Sequence, residues 1–145
     1  MITETLQPSI NVALESTRRP RRVLRSIGAV AAGLAAIFAV TTATDLVMHA
    51  AGVFPPIGAP PMSSALFLLA FGYRFVFDIA GSYLTARLAP HGPMRHALVL
   101  GLIGLVLSIA GAVAMWDAGP AWYSLGLAAS ALPCAWLGGR LHYRR

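Results

Sequence analysis

Four apolar runs, each long enough to cross a bilayer, constrain this chain more than any other feature. About 20 helical residues cross roughly 30 Å of hydrocarbon, and the stretches 27–50, 64–88, 97–116 and 121–141 all qualify. Breakers separate them: Gly52, Pro55, Pro56, Gly58, Pro60 and Pro61 in the first connection, Pro90, Gly92 and Pro93 in the second, Gly119 and Pro120 in the third. Of the 145 residues, 57% are hydrophobic and 11% charged, less than half the charge a soluble domain carries. A core of this size cannot hide so much apolar surface from water, and a mean hydropathy of +0.70 excludes disorder. The fold class that follows is all-α: an integral membrane four-helix bundle whose sequential helices are antiparallel neighbours across short connections. A basic tail, 1–26, precedes the transmembrane domain, 27–141, and a short basic tail, 142–145, follows it; within the first, 1–17 reads as mobile.

Charge sets the sides. The net charge of +6 comes from arginine alone, since the chain has no lysine. Arg18, Arg19, Arg21, Arg22 and Arg25 precede the first run, Arg87 and Arg95 flank the second connection, and Arg140, Arg144 and Arg145 close the chain. The first and third connections carry only Asp117. This alternation is the positive-inside pattern and predicts cytoplasmic N- and C-termini. Arginines at the ends of apolar segments orient a protein in a bilayer; they are not the clustered basic surface of a nucleic-acid binder. The partners this implies are the bilayer itself and anionic headgroups at the N-terminal arginines. Trp116, Trp122 and Tyr123 then fall at the outer interface, and Trp136 and Tyr143 near the inner one.

Arg21-Arg22-Val23-Leu24-Arg25 before an apolar run also looks like a twin-arginine export signal, with Thr41-Thr42-Ala43 as a poor cleavage site. Pro20 stands where Ser or Thr is expected, and three more spans follow instead of a folded domain, so the first helix is read as retained. Met48 to Gly52 and Met115 to Gly119 echo each other, as do Tyr83 to Leu88 and Trp136 to Leu141. Either a parallel duplication of hairpins or shared membrane-edge chemistry accounts for the echo.

Ionisable groups at membrane depth cost at least about 2.5–3.5 kcal/mol each, so they face the bundle interior and have a use. Asp45 and His49 lie four apart on the first helix, with Thr41 and Thr42 one turn earlier on the same side; Arg74 and Asp78 lie four apart on the second. Gly81, Ser82 and Thr85 continue that face, while Leu69, Phe75, Val76, Ile79 and Leu84 make the opposite face one for lipid. At 1.5 Å per residue Arg74 sits roughly 15 Å, and Asp45 roughly 7 Å, below the outer helix ends. A guanidinium reaches several ångströms outward, which predicts that Arg74 bridges Asp78 within its helix and Asp45 across the hairpin. His49 adds a group that titrates near neutrality. The four residues read either as a self-neutralising clamp or as a polar site open to the outer side. No metal site is expected, because His91, His96 and His142 lie on the other side.

Gly101, Gly104, Ser108 and Gly111, with Ala112, line one face of the third helix and predict a helix-packing face, within the subunit or between copies. Pro133 interrupts the fourth helix and frees the carbonyl of Ala129. Cys134, the single cysteine, excludes an internal disulfide, has no base beside it and reads as packing. The proline-rich connection 52–61 lies against headgroups or folds over the polar site as a lid.

A set of motifs carries a resemblance: Thr44-Asp45, His49, Gly52-Val53-Phe54-Pro55-Pro56, Tyr73-Arg74, Thr85 to Pro90, His96-Ala97, and Ala131-Leu132-Pro133 with Trp136 to Leu141. Over residues 27–141 the pattern resembles a family of small bacterial four-helix inner-membrane proteins of uncharacterised activity. The resemblance implies a multi-pass protein of the bacterial cytoplasmic membrane and assigns no functional residue. No serine–histidine, cysteine–histidine or carboxylate constellation shares one side and depth, so no enzyme and no cofactor are expected. The first functional expectation is a non-enzymatic accessory or scaffold subunit with an Asp45/Arg74/Asp78 lock, bound to a membrane protein partner. The alternative is a homo-oligomeric channel or transporter moving a small solute or proton past Asp45, His49, Arg74 and Asp78.

Overall fold

The computed structural model describes the backbone of residues 2–56 and 62–144, and the side chains of the same segments from Arg21 on, Ala118 excepted. It is all-α: α1 (Ile2–Ala50), α2 (Ser64–Leu88), α3 (Pro93–Ala114) and α4 (Ala121–Tyr143), with a 3-10 turn, Trp116–Ala118, before α4. Three of these are long and apolar enough to cross a membrane: α1 over Arg21–Ala50, α2 and α3. The fourth, also expected as a span, is not among them. α4 has the length, at 23 residues, but its glycines, serines and Pro133 make it less apolar. Those small residues are what the bundle buries: Ser130, Ala131, Cys134, Ala135, Gly138 and Gly139 all turn inward.

Boundaries follow local chemistry. α1 ends in a Schellman arrangement, in which Gly52 takes φ 71°, its N–H reaches the His49 carbonyl and the Val53 N–H reaches that of Met48. α3 begins at Pro93 instead of at 97, because the first turn of a helix does not need the N–H that proline lacks. Toward the N-terminus α1 continues to Ile2 through the stretch expected as a tail; Glu, Leu, Ala and Arg there are good helix formers.

Close contacts fix the directions. Going up α1, Gly33 meets Gly81 and Thr85 of α2, Ile37 meets Gly81, and Asp45 meets Arg74, so these helices are antiparallel. α3 and α4 are antiparallel too, Gly139 against Met94 and Ala97, Gly101 against Ala131 and Ala135. α4 runs parallel to α2, with Phe67 beside Tyr123 at one end and Ser82 beside Gly138 at the other. α4 thus settles into the groove between α2 and α3, while α1 lies across from it and touches α3 more slightly. The two ends of the bundle differ. One, here the arginine end, carries Arg25, Arg87, Arg95, Arg140 and Arg144; the other, the connection end, carries the α1–α2 and α3–α4 connections.

Candidate functional site

Packing is tight at the arginine end and loose at the connection end. A methyl group added at Gly138 would sit 2.5 Å from the Ile79 carbonyl oxygen and 2.7 Å from the Tyr83 nitrogen, and one at Gly139 would sit 2.8 Å from Met94 Sδ. Glycine lets these backbones approach, as expected where helices associate through dispersion contacts. Nearer the connection end the helices diverge around a cavity of about 810 Å³. Its floor is Leu34, Ser82, Leu100 and Gly101; its rim is His49, Pro55, Met62, Met115 and Tyr123. From Gly101 to Met115 along α3, that is a depth of about 20 Å.

Two charged residues, Arg74 and Asp78, stand on the α2 wall of this space, and Arg74 is tied to Asp45 of α1 behind it. Asp45 Oδ2 accepts a hydrogen bond from Arg74 Nη2 at 2.6 Å, and the pair forms a salt bridge with side chains 29% and 31% exposed, respectively. Asp45 Oδ1 accepts from the Tyr73 hydroxyl. One carboxylate on α1 therefore ties down two consecutive residues of α2. Helical side chains lean toward their own N-terminus, which for α2 is the connection end, so Arg74 leans toward the level of Asp45. The expected bridge across the hairpin is there.

The expected bridge within α2 is not. Asp78 is one turn nearer the arginine end, the guanidinium leans the other way, and among the described residues Asp78 has no ion-pair partner. It stands in the cavity wall together with Arg74. His49 is at the rim, exposed, its ring edge-on to Phe54 with centroids 5.6 Å apart. Phe54 itself is 3% exposed, folded back by the Gly52 turn. Thr41 lines the cavity, but Thr42 is exposed and does not share that face.

The small-residue face of α3 divides in two. Gly101 is buried against Ala135 and the Ala131 carbonyl, as a packing face requires. Gly104 only grazes Ala131, at 4.0 Å, and Gly111 has nothing within 4 Å. Gly104, Ser108, Gly111 and Ala112 line the cavity instead. The face of α2 assigned to lipid divides as well: Leu69 and Val76 are exposed, whereas the Phe75 and Ile79 backbone receives α4. Cys134 is buried there, its thiol donating to the Phe75 carbonyl at 3.7 Å, which is the packing role expected. α4 stays helical through Pro133, and the Ser130 hydroxyl donates to the Leu127 carbonyl at 3.0 Å. Pro55 and Pro56 line the cavity; the remainder of the suggested lid, 57–61, lies outside the described residues.

Sequence reasoning missed three contributors. Tyr73 is not among the expected site residues, yet Asp45 accepts from both it and Arg74. Tyr123, expected at the outer interface, packs on Phe67 with centroids 5.0 Å apart, and both form part of the wall. Among the described residues no three His, Cys, Asp or Glu side chains gather as a metal site needs. Compared with known proteins, the chain matches no family model, no curated protein and no solved structure.

Proposed function

We propose that this is a non-enzymatic membrane protein that receives a small solute in the cavity between its four helices. In this reading it is a multi-pass protein of a bacterial cytoplasmic membrane, with the arginine end and both termini in the cytoplasm. The observation that carries the solute reading is the cavity itself: about 810 Å³, with Arg74 and Asp78 in an otherwise mostly apolar wall. Sites for small ligands have this size and this mixture, mainly apolar with a few placed polar groups. A pure scaffold would gain dispersion contacts by closing such a space.

The Asp45–Arg74–Tyr73 cluster is then the clamp that holds α1 against α2 while the space beside them stays open. A second reading, an accessory subunit, is supported by α1, whose Phe38, Leu46 and Val47 are 74%, 64% and 63% exposed and would suit a partner helix as well as lipid.

Cysteine accessibility tests the solute reading. Ser108→Cys places a thiol in the cavity wall, and Cys134, 0% exposed, stays silent. A membrane-impermeant thiol reagent is expected to label Ser108→Cys from the outer side of intact spheroplasts and not from the cytoplasmic side of inverted vesicles. Absence of labelling from the outer side sinks an outward-open cavity. Native mass determination after gentle extraction addresses the accessory reading, for which a stoichiometric partner is the expected result.

A further inference from the structure

We infer that the solute is a lipophilic organic cation, with Asp78 as its counter-charge; the inference rests on the solute reading above and narrows it. The charges in the wall decide it. Arg74 is matched by Asp45 at 2.6 Å, and the second oxygen of Asp45 is taken by Tyr73. Asp78 is left: among the described residues it makes neither a salt bridge nor a side-chain hydrogen bond, and it lines the cavity. Asp45, Arg74 and Asp78 together hold two carboxylates and one guanidinium, an excess of one acidic group. A carboxylate at this depth in an apolar bundle is costly without a partner, and a cation in the cavity supplies one.

The remaining wall says what kind of cation. Leu34, Ile37, Leu107 and Leu127 are apolar, and Phe67 and Tyr123 present aromatic rings, which attract cations at their faces. Apolar wall predominates. A small hydrated metal ion would leave that wall unused, and an anion, although Arg74 Nε makes no hydrogen bond, would enter beside Asp78 and a guanidinium whose charge Asp45 already matches. An organic cation with an apolar body fits both the charge and the wall.

Tetraphenylphosphonium and tetraphenylborate test this, because they share a shape and differ in the sign of their charge. Each is titrated onto the full chain in phosphatidylcholine nanodiscs, with empty nanodiscs as blank. The phosphonium is expected to bind at least about tenfold more tightly than the borate. Asp78→Asn should lose that preference, and Asp78→Glu should keep it. Gly111→Leu, which fills the cavity from a position with open space beside it, should weaken the phosphonium without touching any charge and so separates occupancy from folding. Equal binding of the two ions, or an unchanged preference in Asp78→Asn, overturns the cation class and leaves a cavity for apolar solutes. Binding of neither ion also overturns it; if Ser108→Cys is labelled the solute reading survives that failure, and if it is not, both fall.

Discussion

A single carboxylate, Asp45, holds the α1–α2 pair together near the connection end, accepting from Arg74 and from Tyr73. Removing one partner of such a cluster leaves the other partner unmatched, a loss of about 1–3 kcal/mol. Asp45→Asn should therefore lower the unfolding temperature in nanodiscs, and Arg74→Gln should do the same. Combined, the two should cost less than their sum, because the double variant leaves neither member of the pair facing an unmatched partner; simple additivity would mean that the two groups do not interact. Tyr73→Phe, which removes one neutral donor, should cost about 1 kcal/mol. This part of the site was legible in the sequence because depth is arithmetic: rise per residue and arginine's reach bring Arg74 to Asp45. Asp78 was not, since four-residue spacing says that two side chains share a face and not which way a long one leans. Tyr73 escaped because a tyrosine in an apolar helix looks like packing until a carboxylate is found beside it.

Glycines on these helices do opposite things with the same sequence signature. Gly138 is pressed on α2, where an added methyl would meet backbone atoms of Ile79 and Tyr83 that have no flexible end to move. Gly138→Ala should force α2 and α4 apart and cost about 1–3 kcal/mol. Gly111 has no neighbour within 4 Å, so Gly111→Ala should leave packing alone and gain up to about 1 kcal/mol from better helix propensity. Thermal melts of the two variants should move in opposite directions. The stripe Gly101, Gly104, Ser108 and Gly111 predicted close approach along its whole length, and only Gly101 delivers it. Small side chains permit a neighbour to come near and equally leave a void when it does not; the divergence of α3 from α4 beyond Gly101 chooses, and no short pattern encodes it. α2 kept its expected bounds because breakers flank an unbroken apolar run. α4 is the helix that hydropathy describes least well, since it lies in the groove between α2 and α3 and is selected for fit more than for oiliness.

The whole molecule is polar along its long axis in two independent ways. Arg25, Arg87, Arg95, Arg140 and Arg144 crowd one end, where glycines close the packing; the other end holds Asp117 and the cavity rim. Nothing in the packing demands that closed and basic ends coincide, so in the proposed membrane orientation the charges would decide which compartment the cavity faces. Positive charge is retained on the cytoplasmic side during insertion, and three separate clusters favour the same side: the approach to α1, the α2–α3 connection and the end of α4. Val53→Cys and Asp117→Cys, both exposed at the connection end, should thus react with an impermeant thiol reagent on intact spheroplasts. His91→Cys, exposed between Arg87 and Arg95, should react only in inverted vesicles. Replacing Arg87 and Arg95 together by Gln should leave this pattern unchanged, because the other two clusters remain. Labelling of His91→Cys from outside would reverse the proposed orientation. The same cavity, with Asp78 in its wall, would then draw on the cytoplasm, and the solute it takes would have to be sought there.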